Sequence, residues 1–518
     1  MKDKISNPKT KNMNNFTRRN AWNNKGTFDN PDLKWYAEAV REMQTRSLDD
    51  PTSWWFFAAI HGSDWSGAKL PKNVPSSPVP KKDVKDRYWG QCQHSTWFFP
   101  PWHRGYLYAF ENVLRGIIQE KGGPKDWALP YWNYFGAGGQ QHILPPAFNR
   151  KTMSDGRPNP LYIEERYGPK GNGVVYIDLS QVSQKCQQAP SYIGGQPQFY
   201  GGGVTGFVHY GKTAGALEYN PHNGVHNQIG GKTRGSIGLM SDPETAGLDP
   251  IFYLHHCNID RMWAAWNASG KTNPKEKEWK DGPDATKDRT FYMPKPDQSP
   301  WEFTPEMVND INKLNYTYED LSLGVSEPLM TKSAFRLVNF GFEQDTAKNI
   351  DDMEQDGNTE LIGANRGAIA LDATGARTTV KLDTAGLNTV AKSFKNTFSA
   401  KSSRNKKGLT LPDEVFLELE GIKGNADSNI YSVTVNQHFV GHVFLFGLRK
   451  ASQKDGHHAA SGLNIVFDIT KVIDELHLSD QDVSELNSLD VVIQPTGPVY
   501  EDEKCTIERV SIYRKGQI

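Results

Sequence analysis

EYNPHNGVHNQIGG, residues Glu218 to Gly231, sets two histidines four positions apart behind an Asn-Pro pair. On a helix, side chains at i and i+4 share one face, so His222 and His226 can turn both imidazoles towards one ion. Asn220 followed by Pro221 reads as an N-cap and then proline at the first helical position. The same signal recurs at Asn30-Pro31 and Asp249-Pro250. The stretch is also rich in glycine and asparagine, which alone fits a polar loop. The two readings lead to different proteins, and the other histidines decide between them.

His61 ends SWWFFAAIHG, and His94 and His103 lie in GQCQHSTWFFPPWHRGYL. His103 opens a stretch with Leu107, Phe110, Leu114 and Ile117 at helical spacing, so the imidazole shares their inward face. The pair His255-His256 stands in DPIFYLHHCNIDRMW. Neighbouring helical positions point about 100° apart, so one of the pair suits a ligand and the other a place beside it. A lone histidine on an apolar face is more often core than ligand, but two clusters of them argue otherwise. Imidazole suits zinc, copper, iron and nickel. The chain has no HExxH, no CxxC pair and no Glu-x-x-His repeat of a di-iron bundle. Imidazole alone among aromatic residues points to copper.

The 518 residues exceed one compact core and suggest about two to four domains. Hydrophobic residues make up 37% and charged residues 23%, and a net charge of -1 gives no global field to draw nucleic acid. Basic blocks at Lys2, Lys4, Lys9, Lys11, Arg18 and Arg19, and from Lys392 to Lys407, read as solvated tails or loops. Four cysteines are too few and scattered for a disulfide framework, and no apolar run is long enough for a membrane. The N-terminus lacks the apolar region of a secretory signal, so the expected location is cytoplasmic.

The expected layout is a flexible basic tail over 1–25, a helical domain over 26–330, a linker over 331–360 and a β-rich domain over 361–518. Helical spacing runs over Pro31–Thr45, Thr52–His61, Pro101–Glu120 and Pro250–Trp266, with irregular loops from Gly136 to Gly203. Alternating runs at Thr378–Leu382, Val415–Leu419, Tyr431–Val435, Leu463–Ile469, Val491–Gln494 and Ile507–Tyr513 predict an antiparallel sandwich or barrel.

The motifs AAIHG, CQHSTWFFPPWHR, LPYWNY, PHNGVHNQIGG and DPIFYLHHCNIDRMW, in this order over about residues 50 to 270, resemble those of tyrosinases and related type 3 copper proteins. YSVTVNQHFVGHVFLFGLRKAS looks like the C-terminal domain that shields the active site in longer members. The resemblance implies a four-helix bundle holding two copper ions, one on His61, His94 and His103 and the other on His222, His226 and His256. His255 and Asp260 would stand behind these ligands. It also implies dioxygen as co-substrate and small tyrosine- or DOPA-like phenols as the molecules bound, with no nucleic acid or membrane partner. A copper chaperone would fit as the metal donor, and the oligomeric state is not expressed in the sequence.

Four further residues acquire two readings each. Cys92, two positions before His94, matches the spacing of a Cys-His thioether in the family, or is a plain buried cysteine. Glu218 and Asn223 match the pair that holds a proton-accepting water for monophenol hydroxylation, or are a surface carboxylate and a polar residue at a helix start. Phe446, with Phe444 as second choice, matches a side chain that plugs the copper pocket and keeps the enzyme latent, or belongs to the β core. Tyrosinase is the expected activity. The alternatives are a catechol or o-aminophenol oxidase without hydroxylase activity and a haemocyanin-like oxygen carrier.

Overall fold

Helices of the N-terminal half begin where their caps place them. In the computed structural model Asn30 accepts the Asp32 amide at 2.9 Å and starts α1 (Pro31–Thr45). Ser53 accepts the Phe56 amide at 3.0 Å and starts α2 (Trp54–His61). Prolines occupy the first turn of α3 (Phe99–Glu120), α4 covers Gly224–Gly230, and Asp249 caps α5 (Pro250–Ala268) by accepting the Ile251 amide at 3.0 Å. The described residues are 16–516 apart from 63–64, 66–69, 196, 284–288, 326–331, 344–357, 402–410, 456–457 and 480–485. Among them no helix is long and apolar enough to cross a membrane. α1 packs on α2 and α3, and α3 on α5, around an aromatic-rich core that includes Trp54, Phe57, Tyr106, Phe110 and Tyr253.

The entry to α4 differs from the expected start. Residues Glu218–Asn223 form a wide π-helical turn, with a cis peptide at Asn220-Pro221. Asn220 caps nothing: its side chain accepts the Ser183 amide at 2.9 Å and donates to the Gln181 carbonyl at 3.1 Å. The two histidines still follow each other by four positions on continuous helical backbone, because Asn223 and Gly224 are both right-handed.

The expected tail is built into the fold from Phe16 onward, while Lys2, Lys4, Lys9 and Lys11 lie outside the described residues. β1 (Phe16–Arg18) pairs in parallel with β2 (Tyr316–Tyr318). Arg18, expected in solvent, is fully buried. Its guanidinium donates to Glu111 of α3 at 3.0 Å, to Asp260 of α5 at 3.1 Å and to Tyr318 at 2.9 Å. Asp260 also receives Arg104 Nε and the hydroxyls of Tyr316 and Tyr318. Burial alone would raise the Asp260 carboxyl, yet Arg104 and Arg18 hold it below its ordinary value. The composition of the first residues concealed this network, since a buried arginine is tolerated only where carboxylates meet it.

The C-terminal domain has its own core and, apart from a short pairing of Lys454–Asp455 with His458–Ala459, one antiparallel sheet among the described residues. Its strands are β3 (Thr359–Ala364), β4 (Ile369–Leu371), β5 (Ala376–Leu382), β6 (Glu414–Gly424), β7 (Ile430–Val435), β8 (His438–Phe444), β9 (Leu463–Asp468), β10 (Ser488–Pro495), β11 (Cys505–Ile507) and β12 (Arg509–Lys515). Neighbours run in the order β4-β11-β6-β12-β3-β5-β10-β7-β8, with β9 also paired to β6. The predicted run Ile507–Tyr513 is thus divided between two strands. The sheet carries helices that alternation did not suggest: Thr384–Lys401 and Thr470–Leu478 supply Leu387, Val390, Phe394, Val472 and Ile473 to its core. Lys392 to Lys401, expected as loop, is therefore helix, and 402–407 lies outside the described residues. Lys332–Asn339, expected as linker, is a helix whose Ala334 and Leu337 enter the same core. Most of the acidic connection, 344–357, lies outside the described residues.

Replacing Arg18 by Met removes the cation while keeping its volume, and leaves Glu111 and Asp260 buried with less compensation. Denaturant unfolding followed by tryptophan fluorescence should show a loss of about 3–5 kcal/mol. A loss below about 1 kcal/mol, the range of an exposed pair, would mean that Arg18 is solvated.

Candidate metal centre

Six imidazoles converge where α2, α3, α4 and α5 meet, and each is fixed from outside by its other ring nitrogen wherever a partner exists. His61 Nδ1 faces the Pro243 carbonyl at 3.0 Å, His103 Nδ1 the Phe99 carbonyl at 2.8 Å, and His226 Nδ1 the Met240 carbonyl at 2.7 Å. His222 Nδ1 faces Asn223 Oδ1 at 2.8 Å, and His94 Nδ1 faces Glu218 at 3.3 Å. Carbonyl oxygens only accept, so Nδ1 of His61, His103, His226 and His222 carries the proton and Nε2 keeps its lone pair for the interior. His256 differs: its Nδ1 meets no partner, and its Nε2 lies 3.2 Å from His226 Nε2.

Two groups result. One ligand atom each from His61, Cys92, His94 and His103 lie within 4.8 Å of one another, and so do those of His222, His226, His255 and His256. The groups adjoin, since His103 stacks on His256 with centroids 4.6 Å apart and planes at 15°. His61 Nε2 and His222 Nε2 are buried without any hydrogen-bond partner. Burial pushes His61 down to about 4 and His222 down to about 3, and burial with mutual repulsion takes the other four well below the ordinary histidine range. Neutral imidazoles grouped this closely, two of them with no hydrogen-bond partner at Nε2, are what a soft-to-borderline metal ion requires, so these residues fit copper.

Several expected neighbours stand in unexpected relations. His255 comes closer than a place behind the ligands implied: it lies within the second group, and its ring stacks on His222 at 5.4 Å and 22°. Asp260 touches no histidine and belongs to the Arg18 network; through Arg104, which follows His103, it fixes α5 against α3. Cys92 Sγ is 3.2 Å from His94 Nε2 and 3.6 Å from His103 Nε2, with burial raising its thiol well above the usual range. Glu218 is buried rather than at the surface. Its two oxygens accept the Ser95 amide at 2.8 and 2.9 Å, and burial pushes its carboxyl up to about 8, with the Ser95 amide opposing. It thereby joins the α4 entry to the loop carrying His94. Asn223 Oδ1 serves His222.

Phe446 enters this centre from the C-terminal domain. Its ring stacks on His226 with centroids 4.1 Å apart and planes at 25°, and it meets His222 and His94 edgewise at 5.7 and 5.9 Å. Phe444 stops short of the histidine rings of the centre and packs on Tyr219, beside Gly224. Aromatic residues packed on the histidines escaped sequence reasoning. Phe99 packs on His103 at 4.5 Å and Phe252 on His256 at 4.1 Å. Each precedes its histidine by four positions, a helical spacing that was readable. Tyr210 stacks on His94 at 5.2 Å and 20°, and nothing local in the sequence marks it.

Comparison with known proteins agrees with this geometry. Residues 51–199 and 172–269 match the common central domain of tyrosinase, and residues 358–515 match a domain of unknown function (DUF7868). The chain is 33% identical over 493 residues to tyrosinase HcTyr1 of Hahella sp. (strain CCB-MM4), covering 93% of this chain and 96% of that one. It is 27% identical over 307 residues to the chloroplastic polyphenol oxidase A1 of Vicia faba, covering 57% of this chain and 46% of the relative. Among solved structures, latent apple tyrosinase superposes with a TM-score of 0.59 at 20% identity, covering 97% of this chain and 98% of that one. The 33% identity to a tyrosinase over nearly the whole length of both chains, joined to two adjoining histidine groups, shows that the chain belongs to the tyrosinase and polyphenol oxidase family of copper oxidoreductases.

Proposed function

We propose that the protein is a latent tyrosinase: it hydroxylates monophenols at the ortho position and oxidises o-diphenols to o-quinones, with Phe446 as the plug that keeps it latent. His61, His94 and His103 would hold one copper and His222, His226 and His256 the other. Bound copper would supply the two electrons that dioxygen takes up and the oxidising power that the phenol meets.

The observation that carries this reading is the Phe446 ring lying flat on His226 and edge-on to His94 and His222. A phenyl group already occupies the pocket, so a phenol fits there, and it must first displace the plug. Burying that ring contributes about 1.5–3 kcal/mol to closure. A monophenol, with a pKa near 10, needs a base before its ring can be attacked. Glu218, buried beside His94 with its carboxyl pushed up to about 8, would take the phenol's proton in its ionised form, and Asn223 fixes His222. The second reading is an o-diphenol oxidase without hydroxylation. It is favoured by the Ser95 amide, which already donates to both Glu218 oxygens and lowers their basicity.

The contact of Cys92 with His94 supports a thioether between them, formed by loss of the thiol proton, one ring hydrogen and two electrons to oxidant at the copper centre. A peptide of the copper-loaded protein containing both residues should then be lighter by two hydrogens; the unmodified mass would mean a plain thiol.

Phe446→Ala should raise L-DOPA oxidation by the full-length, copper-loaded protein about tenfold or more, with L-tyrosine also consumed. Adding Asn223→Gly should cut turnover of L-tyrosine by about a hundredfold and, because His222 loses its acceptor, also lower L-DOPA oxidation by a smaller factor. Oxidation of L-DOPA alone by Phe446→Ala would favour the second reading, and turnover of neither would remove both.

A further inference from the structure

We propose that Tyr210 is a specificity-determining residue whose hydroxyl binds the carbonyl or carboxylate of an amino-acid phenol. The pocket would then favour tyrosine, DOPA or a tyrosyl peptide over phenols that lack such a group. This rests on the reading of Phe446 as a plug.

The plug is a phenylalanyl residue, so it has the same ring, Cβ and Cα frame as tyrosine and lacks only the ring hydroxyl. The ring is received by His226, and the backbone just beyond it is received as specifically. Tyr210, from the catalytic domain, donates its hydroxyl to the Phe446 carbonyl at 2.8 Å. Stacking on His94 at 5.2 Å and 20° braces that hydroxyl beside the histidines. The next residue shows how close the approach is. Gly447 has φ +82, and a Cβ there would lie 1.7 Å from the Tyr210 hydroxyl oxygen, so the plug is followed by glycine where Tyr210 needs the space.

When the C-terminal domain moves away, Phe446 takes its carbonyl with it and Tyr210 stays behind on the catalytic side. A free tyrosine whose ring replaces Phe446 on His226 carries its carboxylate where the Phe446 carbonyl was. That acceptor is charged, so the hydrogen bond is stronger than the one it replaces. A bare catechol offers Tyr210 nothing.

The test needs the plug withdrawn with its backbone, because Phe446→Ala would leave the carbonyl on Tyr210. Arg449 pairs with Asp242 of the catalytic domain at 2.7 Å and Lys450 with Glu244. Full-length Arg449→Glu, Lys450→Glu opposes like charges at both points and serves as the open parent. Adding Tyr210→Phe keeps the ring on His94 and removes the donor. We expect KM for L-DOPA to rise about tenfold, and KM for 4-methylcatechol to change far less. Equal changes for both substrates, or none for L-DOPA, would overturn the proposal. Equilibrium binding of N-acetyl-L-phenylalaninamide makes the same comparison without turnover: about tenfold weaker binding after Tyr210→Phe is expected, and equal binding overturns the proposal. An open parent that oxidises neither catechol would defeat the reading of the plug and the oxidase, and the binding comparison would still judge Tyr210.

Discussion

The whole centre depends on acceptors behind the histidines. Three backbone carbonyls, of Pro243, Phe99 and Met240, and two side chains, Asn223 and Glu218, hold Nδ1 and turn Nε2 inward. Without them each ring could rotate or change tautomer, and the interior would offer a metal a mixture of donors and protons. The carbonyl of Phe99 sits one turn before His103 on the same helix, so that ligand is oriented by the helix itself. Pro243 and Met240 come from the segment between α4 and α5, which must be in place before His61 and His226 point correctly. The site is therefore a consequence of tertiary packing, and the Arg18–Asp260–Arg104 network ties α3 to α5, the helices that carry His103 and His256.

The same pocket couples the two domains. Phe446 supplies an aromatic face to His226, and around it polar ties fix the angle of approach. Asn227 donates to the Asp427 carbonyl at 2.6 Å, Lys232 bonds Asn429 and Glu503, and Tyr219 donates to the His442 carbonyl. Asn227 follows His226 directly, and Tyr219 precedes His222 by three positions. The domain thus grips the turn and helix that carry His222 and His226, and on the proposed reading movement of that grip would open the pocket.

Much of the site was legible because its signals are local. The i, i+4 pair at His222 and His226, the caps at Asn30 and Asp249 and the bounds of α1 follow from neighbours within one turn. Residues whose partners are remote were misread. Arg18 meets Glu111 and Asp260 at separations of 93 and 242 positions, so its composition suggested a solvated tail. Asn220 looks like a cap, yet its partners Ser183 and Gln181 lie 37 and 39 positions upstream. Glu218 matched a family position, but its bonds to Ser95 bridge the two halves of the site, which no spacing rule expresses. In the C-terminal domain alternation found six runs in a sheet of ten strands, while the helices that complete the core were hidden among polar residues.

The central claim is that the two histidine groups act as one centre with adjacent ions. Electron paramagnetic resonance of the oxidised protein, after copper loading and removal of excess metal, tests it most directly. Two Cu(II) ions sharing a bridging oxygen ligand pair their spins. The account predicts a pair of coppers per chain by metal analysis with almost no resonance signal. A Cu(II) signal that integrates to the full copper content would show isolated ions and contradict it.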